Sequence, residues 1–313
     1  MVTYPRGEFE SVLEGDLEVF QARLSAVLSI KPPGPVPRDD RLFDLAMVVC
    51  QSEIRLEPSS TFYVRGKITG KTMNFSLEGK TFLIAGGSTG IGNELARQLS
   101  ESGANVHVFS RTQGELELGG PVTHHSCDFS TDDFESAELP ETIHGAVYCP
   151  GTINLRSFRS LTLEDFRNDL EVNTIGAIKF LKGCLSGLKK GADQQPTSVV
   201  LFSTVAVGTG MPMHSSIAVA KGAIEGLTRS LAAELAPNVR VNCLAPALTD
   251  TPLAAKFFAT EEKRAAMDAK YPLGRAGSPE DLASMAATLL SPNCGWVTGQ
   301  IIGVDGGMSS IRN

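Results

Sequence analysis

The chain has 313 residues, and its 28 Lys+Arg against 35 Asp+Glu leave a net charge of −7. That balance excludes the basic face that nucleic acid or an anionic membrane surface requires. Hydrophobic content of 42% and charged content of 20% exclude a disordered chain and accommodate one large α/β domain or two medium ones.

In chain order, residues 9–30 place Phe9, Val12, Leu13, Leu17, Phe20, Leu24, Val27 and Leu28 at helical spacing, which predicts an amphipathic helix. The Pro-rich run 31–40 then breaks regular structure, and 61–69 alternates like a short strand. Residues 1–74 thus read as an N-terminal extension, without a chemical motif, that is free to contact a partner. Its first 30 residues carry Glu8, Glu10, Glu14, Asp16 and Glu18 against Arg6 and Arg23, unlike a secretory or transit signal. Six Cys lie far apart with no C-x-x-C pair, so no metal is expected and the thiols read as reduced, in a cytoplasmic protein. No membrane span is expected either, because the long uncharged stretch 194–220 is interrupted by Gly208, Gly210, Pro212 and His214.

From residue 75 to 313 strands and helices alternate. Apolar runs at 81–85, 105–110, 122–128, 145–149, 198–203, 239–245 and 300–305 read as strands. A helix through Ser102 and helical patterns at 162–189, 214–236 and 279–290 lie between them. Such alternation predicts an α/β fold, a doubly wound parallel sheet of Rossmann type with helices on both faces. Gly86, Gly87, Ser88, Thr89, Gly90, Ile91 and Gly92 follow the first strand and open a helix, where small residues let backbone N–H groups approach a pyrophosphate. A tight β–α turn is the plain alternative.

With these motifs in this order, residues 77–313 resemble the short-chain dehydrogenase/reductase family. The phosphate loop comes first. Asp128-Phe129 then fits the site that contacts adenine. Gly151 ends Tyr148-Cys149-Pro150-Gly151, where the family writes Asn-Asn-Ala-Gly. Asn173 matches the catalytic Asn, and Pro246, Thr249 and Thr251 match the loop that holds the nicotinamide carboxamide. Val304-Asp305-Gly306-Gly307 resembles the closing signature. At the end of the second strand, Ser110-Arg111 stands where an acid would favour NAD, so NADP(H) is the expected cofactor.

The resemblance also implies Tyr-x-x-x-Lys, with a Ser thirteen residues before the Tyr. Lys221 is present and implied to bind the ribose, and Thr204 can replace the Ser. At the Tyr position stands Ile217, which neither donates nor accepts a proton. Losing one general acid costs roughly 10²- to 10⁴-fold rather than everything. His214, three residues before Ile217, is one candidate replacement; Thr204 acting through a water held by Asn173 and Lys221 is another. Met211 and Met213 are candidates for a substrate loop, as is residue 252 onward to about 270 for an apolar flap.

The leading expectation is an NADP(H)-dependent oxidoreductase reducing a ketone or 3-oxoacyl-like carbonyl, with atypical proton delivery. The competing one is an NADPH-binding pseudo-enzyme acting as a regulatory or interaction module. Enoyl reduction on the same fold is a third. Pairing through the helices at 162–189 and 214–236 into a homodimer or homotetramer is implied by the resemblance.

Overall fold

Five of the seven strands are so rich in Val, Ile, Leu, Phe and Ala, and so buried, that neither face can be left to water, and this dictates helices on both sides. The structure, a computed structural model, describes residues 77–132, 134, 139–193 and 195–311. The helix, linker and strand expected within residues 1–74 lie outside the described residues.

Strands β1 (Thr81–Ala85), β2 (Asn105–Ser110), β3 (Val122–Ser126), β4 (Gly145–Tyr148), β5 (Thr197–Phe202), β6 (Val239–Pro246) and β7 (Ile301–Val304) form one parallel sheet. Their order is β3-β2-β1-β4-β5-β6-β7. Helix α1 (Gly90–Glu101) follows β1, and α2 (Leu163–Leu170) continues through a π turn (Glu171–Ile175) into α3 (Gly176–Gly191). After β5 come α4 (Val205–Thr209) and α5 (Ser215–Leu235), and after β6 come α6 (Glu261–Asp268) and α7 (Pro279–Leu290). One core lies where Leu95 and Leu99 of α1 and Leu282 and Leu289 of α7 cover the sheet. The other lies where Phe180, Cys184 and Leu188 of α3 and Ile224 of α5 cover its opposite face. Arg240 of β6 is 4% exposed and donates to the carbonyls of Leu289, Ser291 and Val297, which ties the end of α7 to the approach to β7.

The strand order reverses between β1 and β4, so the loops leaving these two strands part and open a crevice at their C-terminal ends. Both loops therefore carry the candidate site.

The sequence pattern at 162–189 reads as one helix, but the structure widens it at the π turn. Asn173 is fully buried there, and its amide donates to the Asp169 carbonyl (2.8 Å) and to Thr152 Oγ1 (2.9 Å). A side-chain donor competing for a helix carbonyl is a recognised cause of such a bulge. The widened turn leaves the Val172 carbonyl to accept the Tyr148 hydroxyl (2.7 Å). Gly176 makes room for that hydroxyl, since a Cβ at 176 would collide with it. Gly176→Ala is therefore expected to destabilise the fold by roughly 1–3 kcal/mol, the cost of overpacking. Adding Tyr148→Phe should recover part of the loss, a non-additivity that denaturant titration of the two single variants and the double variant will read.

Candidate active site

The phosphate loop is shaped by close approach. Gly86 has φ +72° and Gly90 φ +56°, and a Cβ on Gly92 would strike the Gly86 carbonyl. The loop consequently lies flat on the first turn of α1. That turn carries no acid, so its N–H groups and positive dipole end stay available to an anion. A cleft of about 460 Å³ runs from Gly86, Ser88, Thr89, Gly90, Ile91 and Gly92 past Ser110, Arg111, Asp128 and Phe129 to Cys149 and Gly151. It thereby joins most of the residues that the sequence assigned to a cofactor.

Their roles within the cleft differ. Arg111 is exposed and makes no ion pair among the described residues, leaving its guanidinium free. The hydroxyl of Ser110 is already engaged: it donates to the Thr112 carbonyl (2.9 Å) and accepts from His124 Nε2 (3.1 Å). Nε2 also faces the Ser110 carbonyl at 3.2 Å; a carbonyl only accepts, so Nε2 carries the proton. The Asp128 carboxylate takes the backbone N–H and hydroxyl of Ser130, which hold it below the usual carboxylate range, with Arg111 adding to the effect. Phe129 lines the cleft but is only 6% exposed; its ring packs into the core, edge-on to Tyr148 (5.6 Å) and Phe180 (5.6 Å).

A second cavity, of about 340 Å³, adjoins the cleft at Ile91, Cys149, Gly151, Thr152, Thr251 and Leu253. Its wall is mostly apolar and includes Ile153, Phe202, Met211, Ile217, Leu248, Phe257 and Met267. Thr204, His214, Lys221, Pro246 and Thr249 also reach it. Thr204 caps α4 by accepting from the Ala206 N–H, and its own proton finds no acceptor among the described residues. His214 sits at the start of α5 with Nδ1 2.7 Å from the Pro212 carbonyl, so Nδ1 carries hydrogen and Nε2 is left for exchange. Met213, at φ +67° and 52% exposed, lies outside the cavity that Met211 lines. Residues 252–270 form a 3-10 segment (Pro252–Phe257) followed by α6, and Leu253, Phe257 and Met267 turn inward from them.

Lys221 is 7% exposed, and burial pulls its ammonium down to about 8, partly opposed by Cys243, Cys149 and Asp169. Burial in turn pushes the Cys149 thiol up to about 12, so it stays protonated beside Lys221. A Cβ added to Gly151 would lie 3.2 Å from Asn173 Oδ1 and 3.5 Å from Lys221 Nζ. Those two atoms flank the glycine where cleft and cavity meet. Asn173 Oδ1 is buried with no hydrogen-bond partner.

The motif reading passed over Thr152 and Asp169. Thr152 Oγ1 donates to Asp169 Oδ1 (2.6 Å), and Asp169 is 3% exposed. The helical i,i+4 spacing of Asp169 and Asn173 was a usable signal, as was the place of Thr152 directly after Gly151.

A glycine-rich loop at the strand-order reversal, joined to a cavity lined by Lys221 with Asn173 buried beside it, is an arrangement of Rossmann type. A family model described as Enoyl-(Acyl carrier protein) reductase matches residues 85–309. A tropinone reductase homolog of Arabidopsis thaliana is 34% identical over 254 residues, covering 75% of this chain and 92% of its own length. The 2,5-dichloro-2,5-cyclohexadiene-1,4-diol dehydrogenase of Sphingobium indicum is 30% identical over 250 residues, covering 75% and 99%. Among solved structures, a short-chain type dehydrogenase/reductase from Mycobacterium ulcerans matches with a TM-score of 0.69 at 29% identity, over 76% of this chain and 92% of that one. Pseudomonas aeruginosa RhlG in an NADP active-site complex matches with a TM-score of 0.69 at 26% identity, over 75% and 98%.

The chain belongs to the short-chain dehydrogenase/reductase family and is an oxidoreductase of that type. No described helix is long and apolar enough to cross a membrane.

The depressed pKa of Lys221 has a measurable cost. Below pH 8 the folded state holds a buried charge that the unfolded chain would solvate. Lys221→Met is expected to raise the stability of the free protein by about 1–3 kcal/mol at neutral pH, the desolvation cost left after the attraction to Asp169 is subtracted. The gain should shrink as pH rises from 8 and vanish above 10.5, where the lysine is neutral in both states; thermal melts across pH will follow it.

Proposed function

We propose that the protein is an NADP(H)-dependent reductase of a carbonyl compound, a ketone or 3-oxoacyl-like substrate, that delivers its proton without the usual Tyr. The observation that carries this is the pairing of an exposed Arg111 at the end of β2, in no ion pair among the described residues, with an apolar cavity that Lys221 lines and that meets the cleft at Gly151. The residues fit the cofactor. Gly86, Gly90 and Gly92 let the loop pack against Pro150, Thr251 and its own backbone, which presents the acid-free N-terminus of α1 for the pyrophosphate, and Arg111 would take the 2′-phosphate.

Lys221, which lines the cavity beside Gly151, would hold the ribose, and Pro246, Thr249 and Thr251 on the same wall would hold the nicotinamide. When bound, NADP(H) supplies or accepts the hydride. Thr204 orients the substrate oxygen with its free O–H, and Ile217, 5% exposed, keeps water from the place the Tyr ring fills in the family pattern. The cavity wall favours acyl or aromatic groups. Exposed Leu163 on α2 and Val219 on α5 support pairing of these helices in a homodimer or homotetramer, and a cytoplasmic setting completes the proposal.

NADPH oxidation should be measured against ketones and 3-oxoacyl thioesters, with NADH in parallel. Arg111→Ala is expected to raise KM for NADPH roughly 10- to 100-fold, the loss of a charge-assisted bond, and to leave NADH unaffected. Equal losses for both cofactors would remove the NADP assignment.

A second reading, an NADPH-binding regulatory or interaction module, is favoured by Ile217 itself. It predicts tight NADPH binding without turnover by the wild type, and activity created by Ile217→Tyr.

A further inference from the structure

The site has lost the hydroxyl that a Tyr would bring, yet it holds a second hydroxyl coupled to a buried carboxylate. Thr152 stands where the apolar cavity meets the cofactor cleft and lines both. Its Oγ1 has four tetrahedral positions. Cβ fills one, the proton given to Asp169 Oδ1 (2.6 Å) the second, and the hydrogen bond from Asn173 Nδ2 (2.9 Å) the third. One lone pair remains. Asp169 is 3% exposed, and its second oxygen has no hydrogen-bond partner, so Thr152 is the one side-chain donor its carboxylate has among the described residues.

A carboxylate enclosed with a single hydroxyl is expensive to bury. Lys221 on α5 attracts it and offsets part of that cost. The other titratable groups against Lys221 are the thiols of Cys149, after β4, and Cys243 on β6, and burial keeps both protonated. Around this cluster Asp169 is therefore the one carboxyl group that faces Lys221 among the described residues.

Resting on the oxidoreductase reading above, we propose that Thr152 exchanges the proton with the substrate oxygen and that Asp169 is the positioning residue that takes it up. In the oxidising direction the substrate alcohol O–H bond breaks and its proton passes to the free lone pair of Thr152 Oγ1. The proton already on Oγ1 passes to Asp169 Oδ1, and the C–H electron pair leaves as hydride to the oxidised nicotinamide. Reduction runs the same transfers backward: Asp169 returns its proton to Oγ1 as Oγ1 protonates the new alkoxide. Asn173, holding Oγ1 from a third side, fixes the direction of both transfers.

Thr152→Val and Asp169→Asn test this, with Thr152→Ser as the conservative control. Both are expected to lower kcat roughly a hundred-fold or more, the usual worth of positioned acid–base catalysis, with KM and NADPH affinity retained. Thr152→Ser should keep most of the rate. Thermal melts and NADPH fluorescence titration confirm that each variant is folded and binds. Independently of turnover, Asp169→Asn in the free protein should lower the titration midpoint of Lys221, read by NMR after reductive ¹³C-methylation. An unmoved Lys221 titration overturns the proposal. So does a wild type that turns over while both variants match its kcat, a result that leaves the reductase reading standing. A wild type that binds NADPH and never turns over overturns both.

Discussion

The two hydrogen bonds given by the Asn173 amide hold the site together. One goes to the Asp169 carbonyl a turn earlier and opens the helix; the other reaches Thr152 on the loop after β4. The same side chain thus fixes α2 to the crevice and leaves its oxygen beside Lys221. A buried polar group this heavily used rigidifies its surroundings because each lost bond leaves an unsatisfied partner. The departure from the family pattern at Tyr148-Cys149-Pro150-Gly151 acquires a physical reason here. Tyr148 closes the carbonyl that the π turn exposes, and Gly176 gives it space.

Much of this architecture is legible in the sequence because the sheet is buried on both faces, and runs such as 81–85 and 105–110 match β1 and β2 residue for residue. The pattern at 279–290 coincides with α7, whose Ser278–Asp281 capping box and Pro279 mark its start. Helix α6 escaped notice since none of its residues is buried and no apolar period marks it. The π turn escaped because a bulge is decided by side-chain hydrogen bonding, to which a hydrophobic pattern is blind.

Site residues divide along the same line. Lys221, Thr204 and Asn173 follow from spacing, and all three line or flank the cavity. Spacing gives a residue's place in the chain but not the direction of its side chain. Hence the Phe129 ring falls into the core, and the Ser110 hydroxyl is taken by His124 across the β2–β3 register. Thr152 and Asp169 lie 17 residues apart and become partners only when β4 and α2 are brought together.

The bulge has a consequence for how ancestry and activity are inferred. One residue inserted into a helix rotates everything after it by about 100°. The stripe of Phe180, Leu181, Cys184 and Leu188 on α3 therefore meets the sheet in a phase set by the π turn at Asn173. Straightening the helix would swing that stripe toward solvent. Folding alone is thus enough to hold an asparagine at this position, whether or not the pocket turns over. Its presence attests to an inherited scaffold, while the chemistry has to be judged from side chains the core does not need, such as Thr152 and Arg111.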